Sequence, residues 1–284
     1  MEIGVNVMSS SQVMREDFAG SIRKLKESGC SYLEAMSDWG AKPETIQFYA
    51  DLSGGPSGWD PDQTVERIAE ARKIGMDIKG IFVFEECIEE QLDKLGPYCR
   101  ENGISYLVFT FPEYKDLDDI YDKIGLIRRI AACMNPFGIQ ILIHNHSHDT
   151  NPVIDRDGLK KPILNVFLEQ CSGEELMLEI DTGWLVYSGI DAPAYIREHL
   201  DRIAVLHLKD IAAGCQQMEN SGIHRPCGQG IVDFPAILKV SAEKKDMMYV
   251  LDQDASSGSI LDDHAASIRY ISQISSGLSA GSGQ

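Results

Sequence analysis

The chain has 284 residues, 43% hydrophobic and 25% charged, an ordinary globular make-up that is long enough to bury a full core. Its 26 Lys and Arg face 44 Asp and Glu, a formal charge of −18, which excludes a simple nucleic-acid binder and argues against an anionic membrane surface. A small anionic substrate stays compatible, because a local metal or Lys reverses the field inside a pocket.

Eight short apolar runs follow one another along the chain: Ile3–Val7, Tyr32–Met36, Ile78–Phe84, Ser105–Phe109, Ile139–His144, Leu176–Asp181, Ile203–Leu208 and Met247–Asp252. They begin roughly 30 to 45 residues apart, the length of a βα unit with or without an added loop. Runs this apolar suit strands buried on both faces of a parallel sheet. The segments between them carry helical signals. Ile120, Ile124, Ile127, Ala131 and Met134 form one stripe at spacings of three and four. Asp60-Pro61 opens a helix that Gly75 ends, and Asp233-Phe234-Pro235 opens another. Eight alternating units predict a single (β/α)8 TIM barrel, α/β in class. An open doubly wound sheet is disfavoured, because no GxGxxG follows Ile3–Val7.

The long inserts, Ser37–Asp62 and Ile211–Val232, both follow the carboxyl end of a strand, where barrel enzymes build their sites. One catalytic domain is expected over 1–274, with a flexible Gly/Ser-rich tail over 275–284. No apolar stretch reaches the ~18 residues of a membrane helix. MEIGVNVMSS lacks the basic and apolar regions of a secretory leader. Seven scattered Cys without a CxxC pair predict free thiols and a cytoplasmic location.

Four strands end in titratable groups, and burying such a group without a partner costs several kcal/mol. Strand five ends His144-Asn145-His146-Ser147-His148-Asp149, strand six Glu179-Ile180-Asp181, strand seven His207-Leu208-Lys209-Asp210, and strand eight Asp252-Gln253-Asp254. Alternation puts His144 with His146, Glu179 with Asp181, His207 with Lys209, and Asp252 with Asp254 on common faces. If those faces point inward, imidazoles and carboxylates from four adjacent strands converge as a divalent metal requires. Glu34 and Asn6 stand ready for a substrate hydroxyl or for closing a loop. Arg225 is a candidate holder of a phosphate or hydroxyl. Trp184 is a better sugar-stacking candidate than Trp39 or Trp59, which suit a packed lid. His199 and His264 read as surface or packing residues.

The set HNHSHD at 144–149, DTGW at 181–184, HLKD at 207–210, GQGIVDFPAIL from Gly228 and LDQD at 251–254 resembles the xylose-isomerase-like sugar phosphate isomerase/epimerase superfamily, in particular its inosose-dehydratase-like branch. The resemblance implies one divalent ion, Mn2+ first and Mg2+, Co2+ or Zn2+ as alternatives, held by His144, Asp181, His207 and Asp252. Asp254 is the other choice on strand eight. Epimerase members usually carry Glu at the strand-five and strand-eight positions, where this chain has His144 and Asp252. Trp184 stands where many members have a substrate-contacting His. The implied reaction is isomerisation or epimerisation of a sugar or keto-polyol through a metal-stabilised enediolate. The alternative is a lyase on a keto-sugar: an inosose-type dehydratase, or the metal-binding subunit of an enzyme that cleaves 3-oxo-glycosides. His146 is the expected base, with His144 in its place if not a ligand. Lys209 is the expected proton donor, through a pKa lowered beside the metal. Glu34, His148, Trp184, Arg225 and Asp254 are expected at the substrate. The expected partner is a small sugar or keto-polyol, without nucleic acid or membrane, in a homo-oligomer or as a hetero-subunit.

Overall fold

Each apolar run contains one strand of a closed parallel barrel. The strands are β1 (Gly4–Asn6), β2 (Tyr32–Met36), β3 (Ile78–Phe82), β4 (Tyr106–Phe109), β5 (Gln140–His144), β6 (Met177–Asp181), β7 (Ile203–Leu208) and β8 (Met248–Leu251). The computed structural model describes residues 1–52 and 55–281. Each strand pairs with its sequence neighbours, and β8 closes the ring against β1. The predicted (β/α)8 barrel is therefore the observed fold, and every connection contains at least one helix.

Local sequence explains the elements. Pro61–Lys73 starts in a capping box between Asp60 and Gln63, which satisfies two otherwise orphaned backbone donors. Leu117–Met134 buries Ile120, Ile124, Ile127, Ile130, Ala131 and Met134 as one stripe. In the insert after β2, Trp39 packs edge-on against Tyr98 at 5.1 Å and Trp59 against Phe18 at 5.7 Å. The last helix, Ile260–Gly281, carries Ile271, Ile274 and Leu278 on the core. It thus runs through the first seven residues of the Ser275–Gln284 stretch expected as a flexible tail, and residues 282–284 lie outside the described residues. All seven cysteines are free. No helix among the described residues is long and apolar enough to cross a membrane.

Inside the barrel, polarity rises from floor to mouth. The floor is a second apolar cluster that includes Tyr32, Tyr106, Leu142, Met177, Val205 and Val250. Two residues further along the same faces come Glu34, His144, Glu179, His207 and Asp252. The strand periodicity that fills the floor therefore delivers titratable groups to the mouth.

His264 on the last helix is fully buried, with both ring nitrogens lacking a hydrogen-bond partner. Burial holds its pKa down at about 4. A histidine with a depressed folded pKa stays neutral in the fold while the unfolded chain takes up its proton, so stability falls as pH drops from about 6.5 to about 4. His264→Leu is expected to flatten that part of a pH–denaturation profile and raise the urea midpoint at pH 4.5. An unchanged acid limb would refute this.

Candidate metal centre

DTGW shows how the sequence builds the site locally. Asp181 ends β6, donates its N–H to Asn145 Oδ1 at 2.9 Å, and caps Thr182–Tyr187 by accepting the N–H of Trp184 at 2.8 Å. These bonds lock its backbone and one carboxylate oxygen. Thr182 Oγ1 lies 3.0 Å and 3.1 Å from the carbonyls of His207 and Lys209, strapping β6 to the end of β7. Gly183 leaves room for Lys209: a Cβ there would stand 2.8 Å from its Cγ. Trp184 sets its ring 5.3 Å from the Lys209 ammonium and 5.7 Å from His146.

HLKD does the same on β7. Asp210 accepts the N–H groups of Gly228, Gly230 and Val232 at 2.8, 2.8 and 3.1 Å. Gly230 is required there, because a Cβ would sit 2.2 Å from both an Asp210 oxygen and the Ile211 carbonyl. This clamp folds the GQG loop back onto the short antiparallel pair Asp210–Ile211 with His224–Arg225.

One ligand atom each from His144, Asp181, His207 and Asp252 lies within 4.8 Å of the others, and all four residues are buried. His144 Nε2 is 3.9 Å from Asp181 Oδ2, and His207 Nδ1 is 3.2 Å from Asp252 Oδ2. Asp181 Oδ2 is fully buried and meets one cation within the protein, the Lys209 ammonium at 3.1 Å. Two imidazoles and two carboxylates are a donor set for a divalent ion. The charge agrees. Asp181, Asp252 and Asp254 carry three negative charges around Lys209, whose Nζ is 3.1, 2.9 and 2.9 Å from them. Three minus one leaves two, the charge of a divalent ion. The residues fit the group.

Electrostatics set the charge of these four residues. Burial, then the neighbouring His207 and His146, hold His144 well below the usual imidazole range, so it is neutral. Burial lifts Asp181 to about 6 against the pull of Lys209, which leaves it ionised at neutral pH. Burial also opposes the charge on Asp252, but Lys209 and His207 outweigh it and hold this carboxyl well below its usual value. Burial disfavours the charge on Lys209, yet without an ion Asp181, Asp252 and Asp254 hold its pKa well above the usual lysine value.

The remaining expected residues fall in several places. Asp254 binds Lys209 through both oxygens at 2.9 Å, while Asp252 supplies the oxygen in the ligand group. His146 is part-exposed, its Nδ1 3.1 Å from Thr110 Oγ1. His148 places Nε2 2.7 Å from the Phe111 carbonyl and stacks on His146 at 5.8 Å. Arg225 donates to the carbonyls of Gly222 and His224 in its own loop. Glu34 is fully buried: its Oε1 is 2.7 Å from His207 Nε2 and accepts from Asn6 Nδ2, and its Oε2 accepts from the Tyr106 hydroxyl at 2.9 Å. Its protein partners occupy both oxygens. Two residues join the site without having been assigned a role from the sequence. Glu179 Oε1 lies 3.0 Å from both His144 Nδ1 and His207 Nε2. His224 Nε2 is 3.5 Å from Asp254 Oδ2 beside the Trp184 ring.

Fold and site together define a barrel whose strand ends gather a buried His/Asp cluster that could hold a metal ion. Residues 22–272 match the model of the family described as xylose isomerase-like TIM barrel, and the chain belongs to that family. Among curated relatives, an inosose dehydratase of Clostridium beijerinckii is 29% identical over 191 residues, covering 62% of this chain and 57% of that protein. An inosose dehydratase of Geobacillus thermodenitrificans is 27% identical over 146 residues, 46% of this chain and 44% of that one. The chain thus spans about half the length of the curated relatives it matches. A sugar phosphate isomerase/epimerase from Parabacteroides distasonis superposes with a TM-score of 0.73 at 18% identity, over 98% of this chain and 94% of that one. A magnesium complex of a xylose isomerase-like barrel from Mycobacterium smegmatis superposes at 0.64, with 15% identity over 92% and 89% of the two chains. The zinc-bound IOLI protein also superposes at 0.64, with 11% identity over 99% and 97%. These structural likenesses establish the fold. The family is one of enzymes, with isomerase/epimerase and dehydratase members.

Proposed function

We propose that this chain is a divalent-metal-dependent isomerase or epimerase of a sugar or keto-polyol, acting by removal of the proton α to the carbonyl. The observation that carries the reading is the buried ring of His144, Asp181, His207 and Asp252, whose ligand atoms all lie within 4.8 Å of one another. Those four residues would hold the ion, with Mn2+ first and Mg2+, Co2+ or Zn2+ as alternatives. When bound, the ion supplies Lewis acidity toward a carbonyl and its adjacent hydroxyl. His146 is the base. Burial and the nearby Lys209 ammonium hold its pKa at about 4, so its imidazole is free to accept a proton at neutral pH. Thr110 engages Nδ1, leaving Nε2 for the substrate carbon. Lys209 Nζ holds the proton that an adjacent substrate oxygen would receive, and Trp184 walls that ammonium off from water. His148 and Asp254 flank this space and orient substrate hydroxyls.

One observation favours a second reading, a lyase on a keto-sugar. The two proton-handling groups differ in kind, an imidazole at His146 and an ammonium at Lys209. Epimerisation passes a proton to and from one carbon, whereas β-elimination takes a proton from carbon and delivers another to a departing hydroxyl. The curated relatives named inosose dehydratase lend this reading weight.

Incubation of metal-loaded protein with keto-sugars and keto-polyols in D2O separates the two. Isomerisation is expected to give a product of unchanged constitution carrying solvent deuterium at the α-carbon. Loss of water or of an aglycone would establish the lyase instead. Retained metal without exchange at any carbon would overturn both, in favour of a binding barrel.

A further inference from the structure

His144 has two nitrogens, and only one can face an ion as a lone pair while the other carries the proton. The geometry assigns Glu179 as the positioning residue that makes this choice: its Oε1 accepts the His144 Nδ1–H and thereby presents Nε2 to Asp181 and the ion. This inference rests on the metal-centre reading and adds a residue to it.

Four observations support it. Glu179 Oε1 lies 3.0 Å from His144 Nδ1 in hydrogen-bonding geometry, which sets a carboxyl oxygen against that nitrogen. His144 Nε2 points the other way, toward Asp181 Oδ2 at 3.9 Å, and is the atom placed to ligate. Glu179 is fully buried and its Oε2 has no hydrogen-bond partner. It makes no contact with solvent that would explain a carboxyl in mid-strand. Finally, His207 is held in the opposite sense. Its Nε2–H is directed to Glu34 Oε1 at 2.7 Å, and its Nδ1 faces Asp252 Oδ2. Glu34 and Glu179 thus meet the two imidazoles from below; His207 Nδ1 also hydrogen-bonds Asp252, so without an ion that ring carries both protons, whereas neutral His144 has one lone pair to place. Carboxylates that fix ligand histidines in this way typically strengthen metal affinity 10- to 100-fold.

A buried carboxyl against two imidazoles also suits a purely structural role, or a second ion held by Glu34, Glu179 and His207. Tautomer state separates these. In metal-free protein labelled with 15N-histidine, long-range 1H–15N spectra report which nitrogen of each ring is protonated. The His144 signals are assigned by their loss in His144→Asn. The wild type is expected to show His144 as Nδ1–H. Glu179→Leu, which keeps bulk but removes the acceptor, is expected to shift His144 toward the Nε2–H tautomer and weaken Mn2+ or Zn2+ binding by roughly 10- to 100-fold in titration calorimetry. Glu179→Gln keeps an acceptor oxygen at the same atom and is expected to restore both. His144 found as Nε2–H in the wild type, or unchanged in Glu179→Leu, overturns the inference, and so does binding of two ions per chain. If Glu179→Leu fails to fold, Glu179→Met takes its place and the wild-type spectrum still decides. A correct tautomer response without stoichiometric metal in the wild type would instead sink the metal-centre reading and leave the role of Glu179 standing.

Discussion

His207→Ala is expected to release the ion and abolish turnover together, and to destabilise the protein even without metal. The imidazole is fully buried between Glu34 at 2.7 Å, Glu179 at 3.0 Å and Asp252 at 3.2 Å. Burial works against its charge, but Glu179 and Glu34 outweigh burial and hold its pKa well above the usual value. Alanine leaves those carboxyls facing a void. Removing one partner of a buried charge pair costs about 3–5 kcal/mol, a large share of the ~5–15 kcal/mol that holds a domain folded. The sign of the pH effect follows. A histidine with a raised folded pKa contributes stability that is complete below its unfolded value near 6.5 and is lost as pH rises through the folded one. The metal-free wild type should therefore lose stability on the alkaline side, and the variant should lack that slope. Thermal melts across pH, with metal analysis after dialysis, check this. Wild-type metal content in a folded, active His207→Ala protein would remove His207 from the ligand set.

Most of this site was legible because a strand buried on both faces has no cheap use for a titratable side chain. Inward His144, Asp181, His207 and Asp252 stood out against the Val, Leu and Ile around them. The face of each strand was readable too, but depth was not. Alternation puts Glu179 beside Asp181 and Asp254 beside Asp252 without saying which of each pair joins the buried cluster with His144 and His207. That is decided by register: Asp181 pairs with His207, and Val250 with His207 on the other side, so Asp252 sits one step above that ring. Glu34 comes from the far side of the barrel, and only closure of the ring brings it under His207. The loops were least legible. Arg225 and His224 are adjacent, and a two-residue antiparallel pairing turns His224 toward Asp254 while Arg225 binds its own loop. No periodicity is long enough there to predict which faces in. At the end of the chain, Ser and Gly suggested a tail, yet Ile271, Ile274 and Leu278 sustain the helical stripe across them.

Lys209→Met is expected to separate metal binding from rate, in the opposite sense to His207→Ala. The ammonium is 1% exposed and touches Asp181, Asp252 and Asp254. Methionine keeps the length of the stem, so packing against Trp184 and Gly183 survives, but three carboxylates then face one another without a cation. The metal-free variant should be less stable by several kcal/mol, the cost of an uncompensated buried charge. A divalent ion supplies the missing positive charge. Its affinity should therefore equal or exceed that of the wild type, and saturating ion should recover more stability in the variant, about 2.7 kcal/mol at a hundredfold excess over Kd. Turnover should still fall, by roughly 10²- to 10⁴-fold if Lys209 delivers the proton to substrate oxygen. Calorimetric titration with Mn2+ or Zn2+, melts with and without ion, and the solvent-exchange assay read these three quantities separately. If carbon–hydrogen exchange persists while product formation fails, Lys209 serves the oxygen and not the carbon, as the roles assigned to His146 and Lys209 require. Wild-type turnover in Lys209→Met would leave the ammonium a charge balance for Asp181, Asp252 and Asp254 and nothing more.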